Sequence, residues 1–279
     1  ALEYYNKALE IYLSVFGDGH PDVATSYNNI GGVYASRGNY SKVLEYYDKA
    51  LEIYYSVFGD GHPNVALSYN NIGAVYSSLG NYDQALEYHN QALEIYLSVF
   101  GDGHPNVALS YNNIGAVYSS LGNYDQALEY HNQALEIYLS VFGDGHPNVA
   151  MSYNYIGYVY ANQGNYSKAL EYYNKALEIY FSVFGDGHPN VAMSYNSIGL
   201  VYYNEENYVQ ALEYYNKALE IYLSAFGDRH PDVAMSYNNI GDVYDSQGKH
   251  DLALEYYNKA LEIYYLLEFE DWNFESPTD

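Results

Sequence analysis

NVALSYNNIGAVYSSLGNYDQALEYHNQALEIYLSVFGDGHP runs from Asn64 to Pro105, and the next stretch, Asn106 to Pro147, repeats it letter for letter. The His-Pro pair returns at His20, His62, His104, His146, His188 and His230, each time 42 residues on. A fixed period of that size marks a repeat architecture, in which no unit buries its apolar face alone and stacking buries them all. The expectation is one elongated array, not the one or two globular domains that 279 residues would otherwise suggest.

One unit divides in two. Pro63 suits the first turn of a helix, where its missing N–H costs nothing. It also pushes His62 towards an extended backbone. Apolar residues follow at Val65, Tyr69, Ile72, Gly73 and Tyr76, spaced as one face of a first helix that ends near Leu79. Gly80-Asn81 is the stop, since both residues tolerate left-handed backbone. A second helix is expected from about Asp83, whose carboxylate suits a helix N-terminus. Its stripe is Ala85, Leu86, His89, Ala92, Leu93, Tyr96, Val99 and Phe100. Gly101 then ends it, and Asp102-Gly103 turns the chain. Each helix should hold about 16 to 18 residues, or roughly 25 Å. Gly73, Ala85 and Ala92 recur in register, because helix axes approach to about 8 Å only over small side chains. Tyr69 and Tyr76 are expected to fill the space beside Gly73.

Composition narrows the function. The chain is 49% hydrophobic, ample for a core, and much of that is Tyr, with 41 copies against one Trp. So many phenols should sit half-buried with the hydroxyl wet. The net charge is −25, and between Lys49 and Lys168 ten acidic residues meet no Lys or Arg. Such a surface repels nucleic acid and anionic membrane and favours a basic or neutral partner. It also serves simply to keep the chain soluble. Without cysteine there are no disulfides, thiolate metal sites or Cys nucleophiles. No apolar run is long enough to span a membrane. The chain lacks an initiating Met and starts inside a repeat, so a fragment of a longer protein is expected, with a cytoplasmic location.

The pattern resembles the tetratricopeptide repeat. The resemblance rests on Tyr69, Ile72-Gly73, Tyr76, Gly80, Tyr82, Ala85 and Ala92, all at that family's spacings. His89 takes the place of the usual aromatic, which reappears as Tyr47, Tyr173, Tyr215 and Tyr257. The closing Pro of the family is absent, and the unit has 42 residues where the family has about 34. This longer unit, with HP-x-VA, NNIG and ALEIY, looks like the kinesin light chain type. The match covers Ala1 to about Tyr265. It implies an all-α, right-handed superhelical solenoid of about thirteen helices: a half repeat over residues 1–20, then six repeats. An acidic, aromatic tail or cap follows over residues 266–279, with Phe269, Trp272 and Phe274 able to fold over the last helix.

In the family, first helices line a concave groove that binds extended peptides. The resemblance therefore puts Asn28, Asn70, Asn112, Asn154, Asn196 and Asn238 in a row along it. An amide can donate to a peptide carbonyl and accept from its N–H; equally, each Asn can bond to the neighbouring repeat. One adjoining column reads Gly32, Ala74, Ala116, Tyr158, Leu200, Asp242, and another Ala35, Ser77, Ser119, Ala161, Tyr203, Asp245. Tyr158, Leu200 and Tyr203 are the candidates for a side-chain pocket. A third column, Thr25, Leu67, Leu109, Met151, Met193, Met235, is mainly apolar. None of these positions is basic. That argues against gripping a C-terminal carboxylate, as the chaperone-binding subgroup does, and against the acidic peptides that kinesin light chains take.

The six His-Pro histidines lie one repeat apart, too far to share an ion with bonds near 2 Å. Each GDG turn holds one carboxylate, far short of a Ca²⁺ loop. No nucleophile elbow or phosphate loop occurs. The expectation is a scaffold for protein or peptide ligands without catalysis, metal or cofactor. The alternative is an assembly module with weak head-to-tail self-association.

Overall fold

The computed structural model describes the backbone from residue 2 to residue 275 and side chains as far as residue 267. Among the described residues there are thirteen α-helices and no strand. The first helices of the six repeats are α2 (Pro21–Ser36), α4 (Pro63–Ser78), α6 (Pro105–Ser120), α8 (Pro147–Asn162), α10 (Pro189–Asn204) and α12 (Pro231–Ser246). The second helices are α1 (Leu2–Phe16), α3 (Tyr40–Phe58), α5 (Tyr82–Phe100), α7 (Tyr124–Phe142), α9 (Tyr166–Phe184), α11 (Tyr208–Phe226) and α13 (His250–Glu275). The fold is thus an all-α repeat of helix pairs, of the solenoid class. Complete interior second helices have 19 residues, slightly longer than the sequence suggests.

The chain divides into two compact units, Ala1–Val141 and Phe142–Asp279. Each is built in the same way. In the first, α4 packs on α5 of its own repeat, α5 on α6 of the next, and α4 also meets α6. In the second, α8, α9 and α10 repeat this arrangement. The interfaces are made of small and β-branched residues sealed by one large ring. Ala66, Ala92 and Val107 are fully buried around Tyr96 in the first unit. Ala150, Ala176 and Val191 surround Tyr180 in the second.

The glycine at the centre of each first helix has a different partner from the one expected. Tyr69 and Tyr76 do not fill the space beside Gly73; both turn to Tyr88, with ring centroids 5.8 and 5.5 Å away. The ring against Gly73 is His89, and a Cβ at Gly73 would lie 2.8 Å from its Cε1. Tyr47, Tyr173, Tyr215 and Tyr257 hold that place against Gly31, Gly157, Gly199 and Gly241. The glycine is there because a ring occupies the volume of its missing side chain.

The His-Pro pairs are helix starts. Each of the six histidines has extended backbone, with φ near −89° and ψ near 141° at His62. Its Nδ1 accepts the backbone N–H two residues on, at 3.1 Å from Asn64 in that repeat. This satisfies one of the donors a helix N-terminus leaves orphaned. The same imidazole stacks on the Phe that ends the preceding second helix, at 4.1 Å for Phe58 and His62. Val99 and Phe100, placed by sequence in the buried stripe, are exposed. At the end of α5, Phe100 packs on His104 instead, with ring centroids 4.1 Å apart.

Left-handed glycines end the helices, as at Gly80 (φ 73°) and Gly101 (φ 81°). In the fifth repeat Glu206 takes the Gly position with φ 58°, a strained place for a side chain. Helix α13 continues the expected second helix through Glu275. The aromatic side chains expected to cap it, Phe269, Trp272 and Phe274, lie outside the residues whose side chains are described.

The glycine–ring contact can be tested against helix propensity, which favours Ala over Gly by about 1 kcal/mol. At Gly157 an added Cβ would meet the buried Tyr173 ring at 2.8 Å, and overpacking of this kind costs about 1–3 kcal/mol. Gly157→Ala is expected to destabilise the protein by about 1–2 kcal/mol in urea unfolding. Gly32→Ala, at an exposed site whose only neighbour is the Tyr47 hydroxyl at 4.0 Å, should be neutral or stabilising. If Gly157→Ala matches Gly32→Ala, the contact is not what requires the glycine.

Candidate functional site

The first helices bury Val, Ala, Ile, Gly and a Ser on one side and leave a second set of positions open. On α8, Ile156, Gly157 and Val159 are buried while Tyr158 is 49% exposed. On α10, Ile198, Gly199 and Val201 are buried while Leu200 is 43% exposed. The same column is open at Gly32 and Ala74 in the first unit and at Asp242 in the second. Met193 and Met235 are open one repeat apart, and Leu67 is open in the first unit. Tyr203 is half-buried, and its hydroxyl lies 2.9 Å from Ser246 Oγ in the next repeat. The two carboxylates of α12 are engaged as well. Asp242 accepts the Tyr257 hydroxyl at 2.7 Å, and Asp245 lies 2.7 Å from His250 Nδ1.

The asparagine row lies deeper than these columns. Asn70 is 4% exposed and Asn112 1%; Asn196 is also buried, while Asn28, Asn154 and Asn238 are half-buried. Asn70 Nδ2 donates to Ser110 Oγ of the next repeat at 3.0 Å, and its Oδ1 lies 2.9 Å from His89 Nδ1. Asn112 Oδ1 meets His131 in the same way. Where a Tyr replaces that His, the amide is left differently. Asn154 and Asn196 have shielded polar atoms outside hydrogen-bond geometry, although the Tyr180 and Tyr222 hydroxyls face them closely enough for each amide to favour the phenolate slightly. Burial outweighs that and pushes both phenols up to about 12.

Of the columns named from sequence, that of Tyr158 and Leu200 is exposed at those residues, whereas Ser119 in the column of Tyr203 is buried; sequence reasoning missed the His–Asn pairs. Their signal was present: His89 and His131 are the copies in which a titratable ring stands where the other repeats have Tyr. It also assigned no role to the capping histidines. Among the described residues no three His, Asp or Glu side chains come together as metal ligands would, and no helix is long and apolar enough to cross a membrane.

Comparison with known proteins agrees with this geometry. The family model described as Tetratricopeptide repeat matches residues 1–56, 44–98, 64–140, 106–182, 148–222 and 190–265. No curated protein matches the chain. Among solved structures, the apo form of RapI superposes with a TM-score of 0.69 at 23% identity, over 96% of this chain and 92% of that one. BtubC (BKLC) from P. vanneervenii gives 0.62 at 21%, over 87% and 92%. A kinesin light chain-type protein of nearly identical TPR-like repeats from Podosopora anserina gives 0.57 at 20%, over 72% and 96%. At these identities the likeness is one of fold.

The His–Asn pairs give the molecule a pH dependence. Burial lowers the pKa of both His89 and His131 from 6.5 to about 4. Between those values the unfolded chain binds protons that the folded chain refuses. The stabilisation is therefore complete above pH 6.5 and is lost as pH falls towards 4. At about 1.4 kcal/mol per unit, each histidine accounts for about 3 kcal/mol. Carboxylates titrate nearby, so the comparison is with His89→Tyr/His131→Tyr, which copies the other repeats. Urea unfolding at pH 7 and pH 4.5 should show a markedly smaller loss in the double variant. Equal losses would remove the histidines as the cause.

Proposed function

Because this chain belongs to the tetratricopeptide repeat family, we propose that it is a cytoplasmic interaction scaffold that binds extended polypeptide across the open face of its first helices and catalyses no reaction of its own. The observation that carries this reading is the exposure of Tyr158 and Leu200 at equivalent positions of α8 and α10, beside neighbours that are wholly buried. Large apolar side chains held open on packed helices gain free energy when a partner covers them. Met193 and Met235 add adaptable surface in the same unit. Asp242 and Asp245 bring negative charge, which suits a basic or neutral segment.

The asparagines divide by their bonding. Asn70 and Asn112 are already bonded within the fold and act as struts. Asn154 and Asn196 lie one turn before Tyr158 and Leu200, on the same helix face, with amides outside hydrogen-bond geometry. In this reading Asn154 and Asn196 support the open positions from beneath and reach a bound backbone only by turning outwards, while Asn28 and Asn238 hold the corresponding places in their repeats. Tyr203 borders the apolar positions, with its hydroxyl held by Ser246.

Tyr158→Ala/Leu200→Ala changes only open positions and should leave the melting temperature within a few degrees. Screened against a library of extended peptides, it should lose at least fivefold in affinity for whatever the unaltered chain selects. A library that yields only acidic ligands, or ligands indifferent to this double change, would overturn the reading.

A second reading, association of one copy with another, is favoured by the outermost described helices. Tyr4, Ile11 and Val15 on α1 are exposed, as are Leu254, Leu261 and Tyr265 on α13. In interior repeats the residues matching Leu261 are better covered: Leu135 and Leu219 are buried, and Leu51, Leu93 and Leu177 half-buried. Faces of this kind are complementary but not the same, so contact between copies would be heterologous and open-ended. Salt should promote it by screening the net charge of −25. Sedimentation over a hundredfold concentration range at low and moderate NaCl should show the average mass rising. A single monomeric species throughout would exclude it.

A further inference from the structure

Lysine recurs at one place on the second helices: Lys7, Lys49, Lys175, Lys217 and Lys259. In the four complete repeats that carry it, the ammonium group has the same surroundings. Lys49 Nζ lies 2.6 Å from Glu45 Oε1, four residues earlier, and faces two tyrosine rings, 5.7 Å from Tyr27 and 5.2 Å from Tyr46. Lys175 bonds Glu171 and faces Tyr153 and Tyr172 at 5.7 and 4.8 Å. Lys217 and Lys259 are placed in the same way between Tyr195 and Tyr214, and between Tyr237 and Tyr256. A cation over two ring faces beside a carboxylate is held by the ring quadrupoles and by charge together.

In α5 and α7 the lysine is absent, replaced by Gln91 and Gln133. Everything that surrounds it elsewhere is retained: Tyr69, Tyr88 and Glu87 in one repeat, Tyr111, Tyr130 and Glu129 in the next. The ring pairs keep their geometry without a cation. Tyr69 and Tyr88 stand 5.8 Å apart at 45°, and Tyr111 and Tyr130 5.9 Å apart at 44°. With Lys49 present, Tyr27 and Tyr46 stand 5.9 Å apart at 43°. A cavity lined by the first ring of each pair measures about 360 Å³ at Tyr27 and Lys49, about 460 Å³ at Tyr69 and Gln91, and about 420 Å³ at Tyr111 and Gln133; Tyr88 and Tyr130 stand behind that ring. Asp60 and Glu94 line the larger one, with Ile95 as its apolar wall. These are also the repeats in which no Lys or Arg occurs.

We propose that the Tyr69–Tyr88 and Tyr111–Tyr130 cavities are paired sockets for lysine side chains of a basic partner polypeptide. The guest ammonium takes the place that the chain's own lysine fills in the other repeats, over two tyrosine faces and beside Glu87 or Glu129. Its methylene stem lies along Ile95 or Ile137, as long cationic side chains do on apolar surface. Asp60 and Glu94, with Asp102 and Glu136 in the second socket, add charge attraction. The two sockets are one repeat apart and identical in sequence, so two lysines on one segment bind with the gain of linkage. This site is separate from the open first-helix face, whose Tyr158 and Leu200 lie in the other unit.

The test uses peptides with two lysines joined by Gly/Ser linkers of graded length, titrated calorimetrically against the whole chain at low salt. One linker length should bind at least tenfold tighter than a single-lysine peptide. Acetylating both lysines should abolish binding. Gln91→Lys/Gln133→Lys fills both sockets from within. It should fold as well as the natural chain, since four repeats already have that arrangement, and should lose at least tenfold in affinity. Asn90→Lys/Asn132→Lys adds the same charge at neighbouring exposed positions and should change affinity less than threefold. Equal losses in the two variants would show diffuse charge attraction and overturn the proposal. So would an absence of binding to the unaltered chain, or undiminished binding to the filled sockets. Binding lost instead in Tyr158→Ala/Leu200→Ala would place the lysines on the first-helix face and equally overturn it.

Discussion

The contact on which each helix pair depends is that between a glycine and a ring. A Cβ at Gly31, Gly73, Gly115, Gly157, Gly199 or Gly241 would lie 2.5 to 2.8 Å from the facing Tyr or His. Real side chains do not approach so closely, so the glycine sets how deeply the second helix can seat. Once it is seated, alanines such as Ala85 and Ala92 come to zero exposure, and Tyr96 closes the seam with the next repeat. The glycine costs about 1 kcal/mol of helix propensity at each site. Burying an aromatic ring, worth about 1.5–3 kcal/mol, more than offsets it.

That contact also explains a feature outside the regular pattern. The ring against the glycine sits at the inner end of the asparagine row, so its chemistry decides how the amide is satisfied. An imidazole presents Nδ1 to Asn70 or Asn112 within the core. A phenol at the same place is longer, and Tyr257 carries its hydroxyl past the row to Asp242 at the surface. In the repeats of Asn154 and Asn196 the ring is Tyr173 or Tyr215, which stays buried, and those amides are left without a bond of good geometry. One position therefore connects core packing, acid sensitivity and the character of the face available to a ligand.

Much of this was legible in the sequence, and for definite reasons. Pro63 and Gly80 mark helix ends through backbone chemistry that holds in any surroundings, and the ends fall within a residue or two of expectation. Gly73, Ala85 and Ala92 reveal the close seam because small residues in register have few other uses. What the sequence left ambiguous were choices between partners. Tyr69 and Tyr76 had the right size to cover Gly73, but helix geometry turns them towards Tyr88. Phe100 has the periodicity of a core residue, yet it is exposed and stacks on the capping His104. The asparagine row was located correctly on the first helices, but its depth depends on side chains from two other helices. No spacing within one helix encodes that.

Identity between repeats is informative about folding and says little about recognition. A residue present in every copy serves the stack, because every copy faces the same neighbours. Differences among copies at open positions are free of that constraint. Each repeat contacts mainly its neighbours, so such a change leaves distant seams undisturbed. Two kinds of difference stand out. Along the first helices of the second unit, small residues give way to Tyr158 and Leu200, which add exposed apolar surface. Along the second helices of the first unit, Lys gives way to Gln91 and Gln133, which removes a cation but keeps the rings and carboxylates around it. The carboxylate and the two ring faces lack there the ammonium group that they face in the other repeats. Apart from His89 and His131 at the ring position, the packing of these repeats follows that of their neighbours. On the surface, the substitution replaces an ammonium group with a neutral amide beside carboxylates that are kept, so the local charge there becomes more negative.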